Sequence, residues 1–550
     1  MIKKLLFLFL TITVLPLQAE NRSDAEMLSI ARQRLSATAL TRSDDAREPE
    51  LIEKTKSLSI YGYPDESFVI ISRNDAYMPV LAISNTPYKG RLMPDGFKWW
   101  LKAITQSMEA GYVAKTRAEV TPIGNFVKTT WGQHDPYNGL CPKVSSSRPP
   151  TGCVATAMAQ IMNYYQYPAQ GIGTGSYTAG GKPKTVTIKN TYRWDRMLNS
   201  YTPQSAALSK TAVQYLMADA GAAARMEYTL SGSGAGFPNA TRGFYQNFQY
   251  DSLAIQCRFR VFYEDPEWMD MVYNELSNHR PILYGGYDDP AGGHAFVFSG
   301  IDSEGRVYVN WGWDGTADGF YDVNDLAPVT STSSYNFKLS QDMIFGLKPR
   351  LAPEDSEDFV SQWVTSESYY AWGVDKNLVD FAARDYWNMN VVSFEGVLEL
   401  CFENTANGYT DCITIYDSAE NEEIGGDIEF EYGFASPDGN LMRDTIDISD
   451  LPAGSYKVYV RSKDIREKEP RPMRTYGGIC YVIISKDAEG NITSTSDDVP
   501  DPDGINTVPE SLTPAFSEFD GAYDLSGRRI SNSLPKRGIY IKKGQKVVTK

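Results

Sequence analysis

The sequence predicts an α+β protein that carries an additional all-β unit, and three observations lead there. Residues 126 to about 350 mix helical periodicity early with strand patterns later. Residues from about 355 to 490 place apolar side chains at every second position, as half-buried strands do. The length, 550 residues, exceeds what one core usually holds, so three or four domains are expected.

The chain opens Met-Ile-Lys-Lys and runs from Leu5 to Leu15 as an almost unbroken apolar stretch, then Pro16-Leu17-Gln18-Ala19. A short basic start, about 7–15 apolar residues and a small residue at the cut describe a secretory signal peptide. A membrane anchor needs about 20 apolar residues, and the run is shorter. Residues 1–19 are therefore assigned to a signal peptide, with no membrane span elsewhere. No Cys follows the run, as a lipoprotein would require. The expected location is extracytoplasmic: secreted or attached to the cell surface.

Residues 20–125 form a first α+β unit, charged and irregular up to about residue 55. Ser67–Ser72 and Met78–Ala82 read as strands, and Phe97 to Tyr112 as a helix burying Trp100, Ile104 and Met108 at i, i+4 and i+8. Ala114 to Glu119 is polar and basic, an exposed linker open to proteolysis. In the second unit, residues 126–350, Asp265 is an N-cap candidate before Pro266, with Trp268, Met271, Val272 and Leu276 as the buried stripe. Pro281–Tyr284, Ala295–Gly300 and Val307–Trp311 read as strands.

In the third unit, residues 355–490, Leu398–Glu403 alternates, Asp450–Ser455 turns, and Tyr456, Val458 and Val460 alternate with Lys457, Tyr459 and Arg461. This reads as an antiparallel β-sandwich. Residues 491–519 read as a polar linker. The segment 520–550 is expected to hold two short strands, Ala522–Leu525 and Gly538–Ile541.

Composition excludes some partners. The formal net charge of -16 repels phosphate backbones and anionic membrane surfaces, so neither is an expected partner. Six cysteines occur, Cys141, Cys153, Cys257, Cys401, Cys412 and Cys480, too few for a disulfide scaffold and without a Cys-x-x-Cys zinc motif. A pairing of Cys401 with Cys412 across a hairpin is one arrangement the sequence allows. No metal and no organic cofactor is implied.

Four segments carry chemistry. In Thr151-Gly152-Cys153-Val154-Ala155-Thr156-Ala157-Met158, Thr151 is a capping candidate and Gly152 allows another chain to approach closely. The helix that follows is rich in Ala and apolar residues, so it should run through the interior. Cys153 then sits at its first turn, where unpaired amides and the positive end of the helix dipole lower a thiol's pKa. A lone cysteine before a helix is more often structural, so the other segments matter. Of three histidines, His134 lies in a loop and His279 near a helix end, while His294 lies between two glycines and the apolar strand Ala295-Phe296-Val297. Sixteen residues on, Asn310 offers an amide that could hold an imidazole in one tautomer, beside Trp311 and Trp313, which could exclude water or simply fill the core. Upstream, Gln133 offers a side-chain amide donor of the kind that stabilises an oxyanion.

These segments, with Trp131-Gly132-Gln133, Pro136-Tyr137-Asn138, Gly292-Gly293-His294 and Val309-Asn310-Trp311-Gly312-Trp313-Asp314-Gly315, resemble the streptopain family of bacterial cysteine peptidases, the group that also contains interpain. The Cys–His separation of 141 residues falls within the papain-like range. The resemblance covers about residues 20 to 350 and implies a papain-like catalytic domain with an N-terminal inhibitory prosegment. It implies Cys153 as nucleophile, His294 as acid/base, Gln133 in the oxyanion hole, and Asn310 and Trp311 supporting the histidine, although the family's pair is usually treated as a dyad. It also implies protein and peptide substrates with an apolar side chain two residues before the cut. The long stretch between Gln133 and Cys153 departs from a compact motif, so a loop must return Gln133 to the site. The C-terminal Tyr523–Arg529 with Gly538–Lys542 and Lys546–Val548 is similar to C-terminal segments of exported proteins in the Bacteroidetes, which suggests export or attachment.

The expected function is a secreted cysteine endopeptidase made as a zymogen. A papain-like cell-wall amidase shares the Cys–His chemistry but usually brings wall-binding repeats, which the sequence lacks. A non-enzymatic surface binder working through the β-sandwich would be favoured by a degenerate site, and every expected residue is present.

Overall fold

The computed structural model describes residues 21–38, 47–109, 121–288, 292–323, 341–350, 359–419 and 441–494, apart from 76, 366–368, 385 and 476–477, with four short strands between 522 and 549. The expected signal peptide at residues 1–19, the basic segment Ala114–Glu119 and most of the expected linker before residue 520 lie outside the described residues.

The first unit begins with a helix that the sequence reading missed. Helix α1 (Asp24–Thr38) buries Met27, Ala31 and Leu35 against Tyr61, Val69, Ile71 and Val80. Its polar remainder diluted that one-sided spacing below notice. Strands β1 (Glu50–Lys54), β2 (Leu58–Tyr63), β3 (Ser67–Ser72) and β4 (Val80–Ser84) follow. Strand β3 coincides with the expected strand, and β4 begins two residues later than the sequence suggested. Helix α2 (Asp95–Glu109) buries Trp100, Ile104 and Met108, the expected stripe.

The second unit contributes α3 (Cys153–Tyr165), β5 (Thr174–Ala179), β6 (Lys182–Thr187), α4 (Ala207–Ala223), β7 (Glu227–Thr229), β8 (Gly232–Gly234), α5 (Phe237–Asn247) and β9 (Gln256–Phe259). It continues with α6 (Asp265–Ser277), β10 (Ile282–Asp288), β11 (Gly292–Ile301), β12 (Val307–Asn310), β13 (Gly319–Tyr321) and β14 (Gln341–Phe345). Asp265 is not the cap of α6: Glu264 precedes the helix, and Asp265 pairs with Arg260 at 3.0 Å from inside its first turn.

The two units share one antiparallel sheet of ten strands, ordered β1-β2-β3-β4-β13-β12-β11-β10-β14-β9. The seam is the β4–β13 ladder, with Ala82 opposite Tyr321, Ile83 opposite Phe320 and Ser84 opposite Gly319. Alternation along the strands divides the core between two faces. Ala295, Val297, Leu283 and Ile344 pack with α3, α4 and α5, whereas Phe296, Phe298, Tyr284 and Met343 pack with α2 and α6. The first unit therefore has a small core of its own under α1, but its other face is continuous with the core of the second unit. At the centre of that shared core, the buried Trp100 indole donates to the Asp322 carbonyl at 2.7 Å and meets Tyr321 edge-on at 4.7 Å.

The third unit is all β. A six-stranded sheet and a three-stranded sheet enclose a common core that includes Phe381, Leu400, Phe402, Val458 and Val460. Residues 454–464 alternate buried and partly exposed as expected. Cys401 faces Cys412 across two adjacent strands, and the two form a disulfide. This unit docks on the second through two buried arginines. The Arg258 guanidinium donates to Met389 O at 2.8 Å, Asn390 Oδ1 at 3.0 Å and Val360 O at 3.3 Å. Arg474 pairs with Glu267 and lies over the Tyr263 ring, 4.5 Å from its centroid. Near the C-terminus, Ala522–Tyr523 and Gly538–Lys542 pair antiparallel, and Arg529–Ile530 and Gln545–Thr549 add two further strands. No helix among the described residues is long and apolar enough to cross a membrane.

Because Trp100 is buried in a core shared by both units, Trp100→Ala is expected to destabilise the full-length chain by about 3–5 kcal/mol. The measurement is the urea midpoint of the first transition. An unchanged midpoint would mean that α2 does not hold the two units together.

Candidate active site

The site is built where the N-terminus of α3 meets β11. Residues 153–162 of α3 are all buried, which follows from their Ala-rich, apolar composition. Thr151 does not cap the helix as expected. Gly152 occupies the cap position with φ 89°, in the left-handed region that favours glycine. A Cβ there would lie 2.7 Å from Met226 Sδ and 2.9 Å from the Ser233 carbonyl oxygen. The Thr151 hydroxyl instead lies 2.8 Å from Thr156 Oγ1, and Thr156 Oγ1 donates to Gly152 O at 3.0 Å, which closes the first turn internally.

This geometry places Cys153 at the first helical residue, 7% exposed and hydrogen-bonded to the half-buried His294. Burial pushes the thiol up. The hydrogen bond and charge of His294, and hydrogen bonds from the backbone of Ala295 and Val154, outweigh it and bring the thiol below its ordinary value. The other free cysteines differ: burial pushes Cys141 up to about 11 and Cys257 up to about 12, and raises Cys480 as well. Cys153 is the one cysteine poised to be a thiolate.

His294 stands on β11 opposite Gly286 of β10. Behind it, a Cβ on Gly285 would lie 2.8 Å from the His294 carbonyl oxygen and 2.5 Å from the Phe237 ring, so glycine lets the two strands close there. His134 and His279 are both exposed.

Gln133 is brought to the site by its backbone. Its carbonyl accepts from Thr151 N at 2.9 Å, two residues before Cys153. The loop that returns it is closed by the Asn138 side chain, which donates to Pro149 O at 3.0 Å. Gln133 Nε2 is buried and has no hydrogen-bond partner among the described residues. A buried donor left unpaired costs about 1–3 kcal/mol.

Asn310 is placed differently from the expectation. Its Nδ2 donates to Thr129 O at 2.6 Å and to Gln160 Oε1 at 3.0 Å, and its Oδ1 accepts from Gly312 N and Gln160 Nε2, each at 3.0 Å. None of these bonds goes to His294. Asn310 meets the histidine strand only through its register opposite Val297. Trp311 is buried: its N–H donates to Asp318 Oδ1 at 2.8 Å, its indole donates to Ala317 O at 3.1 Å, and its ring packs 4.7 Å from Phe296. Burial pushes the Asp318 carboxyl up to about 7. Sequence reasoning missed Gln160, although a Gln inside an Ala, Ile and Met run was a visible signal for a buried polar contact.

Residues 131–321, which include Gln133, Cys153, His294, Asn310 and Trp311, match the model of the Peptidase C10 family, and the chain belongs to that family. Streptopain of Streptococcus pyogenes is 33% identical over 241 residues, 40% of this chain and 60% of that protein, so the chain spans about 60% of the length of the streptopain relatives it matches. Thiol protease/hemagglutinin PrtT of Porphyromonas gingivalis is 28% identical over 316 residues, 52% of this chain and 36% of that protein. Among solved structures, a prointerpain A fragment of Prevotella intermedia is 34% identical, with a TM-score of 0.50, covering 55% of this chain and 100% of that one.

Since His294 holds the Cys153 thiol low, alkylation of Cys153 by iodoacetamide is expected to inflect below the ordinary thiol pKa of about 8.5. In His294→Ala the inflection should move upward, because burial then faces only the backbone contacts. Mass spectrometry of the labelled peptide against pH reads this directly, and identical profiles would dissociate the pair.

Proposed function

We propose that this chain is a cysteine endopeptidase, exported and made as a zymogen, with a papain-like catalytic domain at residues 126–350. The observation that carries the reading is Cys153, a nearly buried cysteine whose thiol is held low by His294 while the other free cysteines are pushed up.

The chemistry follows from the positions. The Cys153 thiolate attacks the scissile carbonyl carbon, and the carbonyl π electrons move to oxygen. The Cys153 backbone N–H at the helix terminus and Gln133 Nε2 donate to that oxyanion. The tetrahedral species collapses as protonated His294 gives its proton to the leaving amine, which leaves a thioester on Cys153. Neutral His294 then takes a proton from water, the hydroxide attacks the thioester, and the acid departs as the thiolate and imidazolium are restored. Asn310 and Trp311 support His294 at one remove, by fixing β12 beside β11.

Residues 20–125 act as the inhibitory prosegment. Their reach into the site is through α2, whose Phe97 ring lies 6.1 Å from Trp311 and whose Gly96 backbone packs against the Trp311 and Phe296 rings. Removing this unit alters the packing behind His294, and cleavage between about residues 112 and 126 starts that change. The preceding signal peptide, residues 1–19, takes the protein out of the cytoplasm, where protein and peptide substrates are met. Residues 355–490 serve as the accessory β-sandwich, with 491–519 as a linker and 520–550 in export or attachment.

The test is hydrolysis of a casein-type substrate with and without the thiol reagent E-64. Cys153→Ala and His294→Ala should each abolish turnover, and the double variant should lose little more. Gln133→Ala should lower kcat by about a hundredfold or more. Activity retained by Cys153→Ala would overturn the assignment. For the zymogen, Cys153→Ala should accumulate at full length, and a trace of active enzyme should trim it to a new N-terminus within that window. An intact parent chain that is already fully active would make residues 20–125 a permanent accessory unit.

A further inference from the structure

Gln160 lies on α3 seven residues beyond Cys153, two turns along the same side of the helix. It is fully buried, in a run otherwise made of Ala, Ile and Met. Burying an amide in such a place is unfavourable unless every polar atom is met, and here each is. Gln160 Oε1 accepts from Thr129 Oγ1 at 3.0 Å, from Trp131 N at 3.2 Å and from Asn310 Nδ2 at 3.0 Å. Gln160 Nε2 donates to Asn310 Oδ1 at 3.0 Å. Asn310 then reaches back to Thr129 O at 2.6 Å, which closes the network on itself.

The three segments joined here are those the reaction needs to hold in register. Thr129 and Trp131 belong to the segment that ends in Gln133. Asn310 ends the strand beside β11. The helix that carries Gln160 also carries Cys153. The 129–133 segment is thus fixed at three points, at Thr129 and Trp131 by Gln160 on the nucleophile's helix and at Gln133 by the backbone bond from Thr151, two residues before that helix. The unpaired Gln133 amide extends from the last of these points.

We propose that Gln160 is a positioning residue of the oxyanion site: it sets the Gln133 amide at a fixed distance from the Cys153 backbone N–H, and it does so through Trp131 and Asn310. The proposal rests on the reading of Cys153 as nucleophile and Gln133 as oxyanion donor. Gln160 touches no reacting atom. Its effect is felt where charge develops on the substrate oxygen, and not in the Cys153–His294 pair. Misplacement of a donor by a fraction of an ångström lowers turnover without changing how substrate binds in the ground state.

The experiment uses the protein activated from the full-length chain, with Gln160→Met, which keeps the volume and removes the amide. On a peptide-amide substrate, kcat should fall about tenfold or more while KM stays within about twofold. The rate and pH inflection of iodoacetamide alkylation at Cys153 should match the parent, because Asn310 keeps its bonds to Thr129 O and Gly312 N and so still holds β12 beside β11. In the Gln133→Ala background, Gln160→Met should cost less than about a further twofold in kcat, because the donor it positions is gone. A parent-like kcat in Gln160→Met overturns the proposal. So does a loss that multiplies with Gln133→Ala, or alkylation that slows in step with turnover, since either would mean a general loosening of α3. Gln160→Glu is the second variant and covers the case where Gln160→Met does not fold. Its introduced carboxyl keeps an acceptor oxygen for Trp131 and Thr129; protonated it still donates to Asn310 Oδ1, and ionised it buries a charge against that oxygen, so kcat relative to the parent should fall as pH rises through the titration of that carboxyl. A Gln160→Glu enzyme that matches the parent kcat across that pH range overturns the proposal. Failure of the underlying reading looks different: Cys153→Ala would retain hydrolysis, or Gln133→Ala would run at the parent rate, and the proposal would fall with it.

Discussion

A thiol in a nearly closed interior ionises only if its charge is met where it forms, and this requirement organises the centre of the molecule. The Cys153 sulfur is met by the His294 ring from β11 and by the backbone of Val154 and Ala295. One partner comes from the helix itself and two from a strand, so the helix terminus and the strand must touch. Gly152 allows that contact, because its left-handed backbone lets α3 begin against Met226 and Ser233, where any side chain would collide. Gly285 does the same on the far side of the strand, where the sheet closes tightly behind His294.

The ten-stranded sheet carries these positions outward. Strand β11 has α3 on one face through Ala295 and Val297, and α2 and α6 on the other through Phe296 and Phe298. The small residues face the helix that must come close, and the large ones fill the wider gap on the opposite side. The first unit is coupled to the site by this division. It approaches through aromatic packing against Phe296 and Trp311, and the ladder between β4 and β13 makes it part of the sheet. A cut in the linker would sever the chain and leave that ladder in place, so chain cleavage and physical departure of the unit are separate events.

Much of this was legible in the sequence wherever a pattern had a single physical cause. Strand β3 and the buried stripe of α2 followed from periodicity, and the alternation at residues 454–464 from the two-residue repeat. Cys153 and His294, far apart in the chain, stand in hydrogen-bond contact. Helix α1 escaped because three buried residues in fifteen do not stand out in a polar segment. The cap of α3 was misread because Thr151 looks like a cap from its chemistry, while the backbone angle at Gly152 is a property of what surrounds it. The direction of the Asn310 amide was hidden for a related reason. Spacing says that an amide is near a histidine strand, but only the third dimension says that Gln160 and Thr129 reach it first.

Of the two arginines at the junction of the second and third units, Arg474 is held by side chains, the Glu267 carboxylate and the Tyr263 ring, whereas Arg258 is held mostly by main-chain atoms. Arg258 points its guanidinium at the carbonyls of Met389 and Val360 and at a single side chain, Asn390. A carbonyl oxygen is the same at every residue, so this anchor recognises the path of the chain and is largely blind to the side chains along it. The outer strands of the third unit can exchange nearly all their surface residues, and with them whatever they touch outside the molecule, without disturbing the attachment. Those strands can therefore change while this anchor stays, and one body can present many different faces.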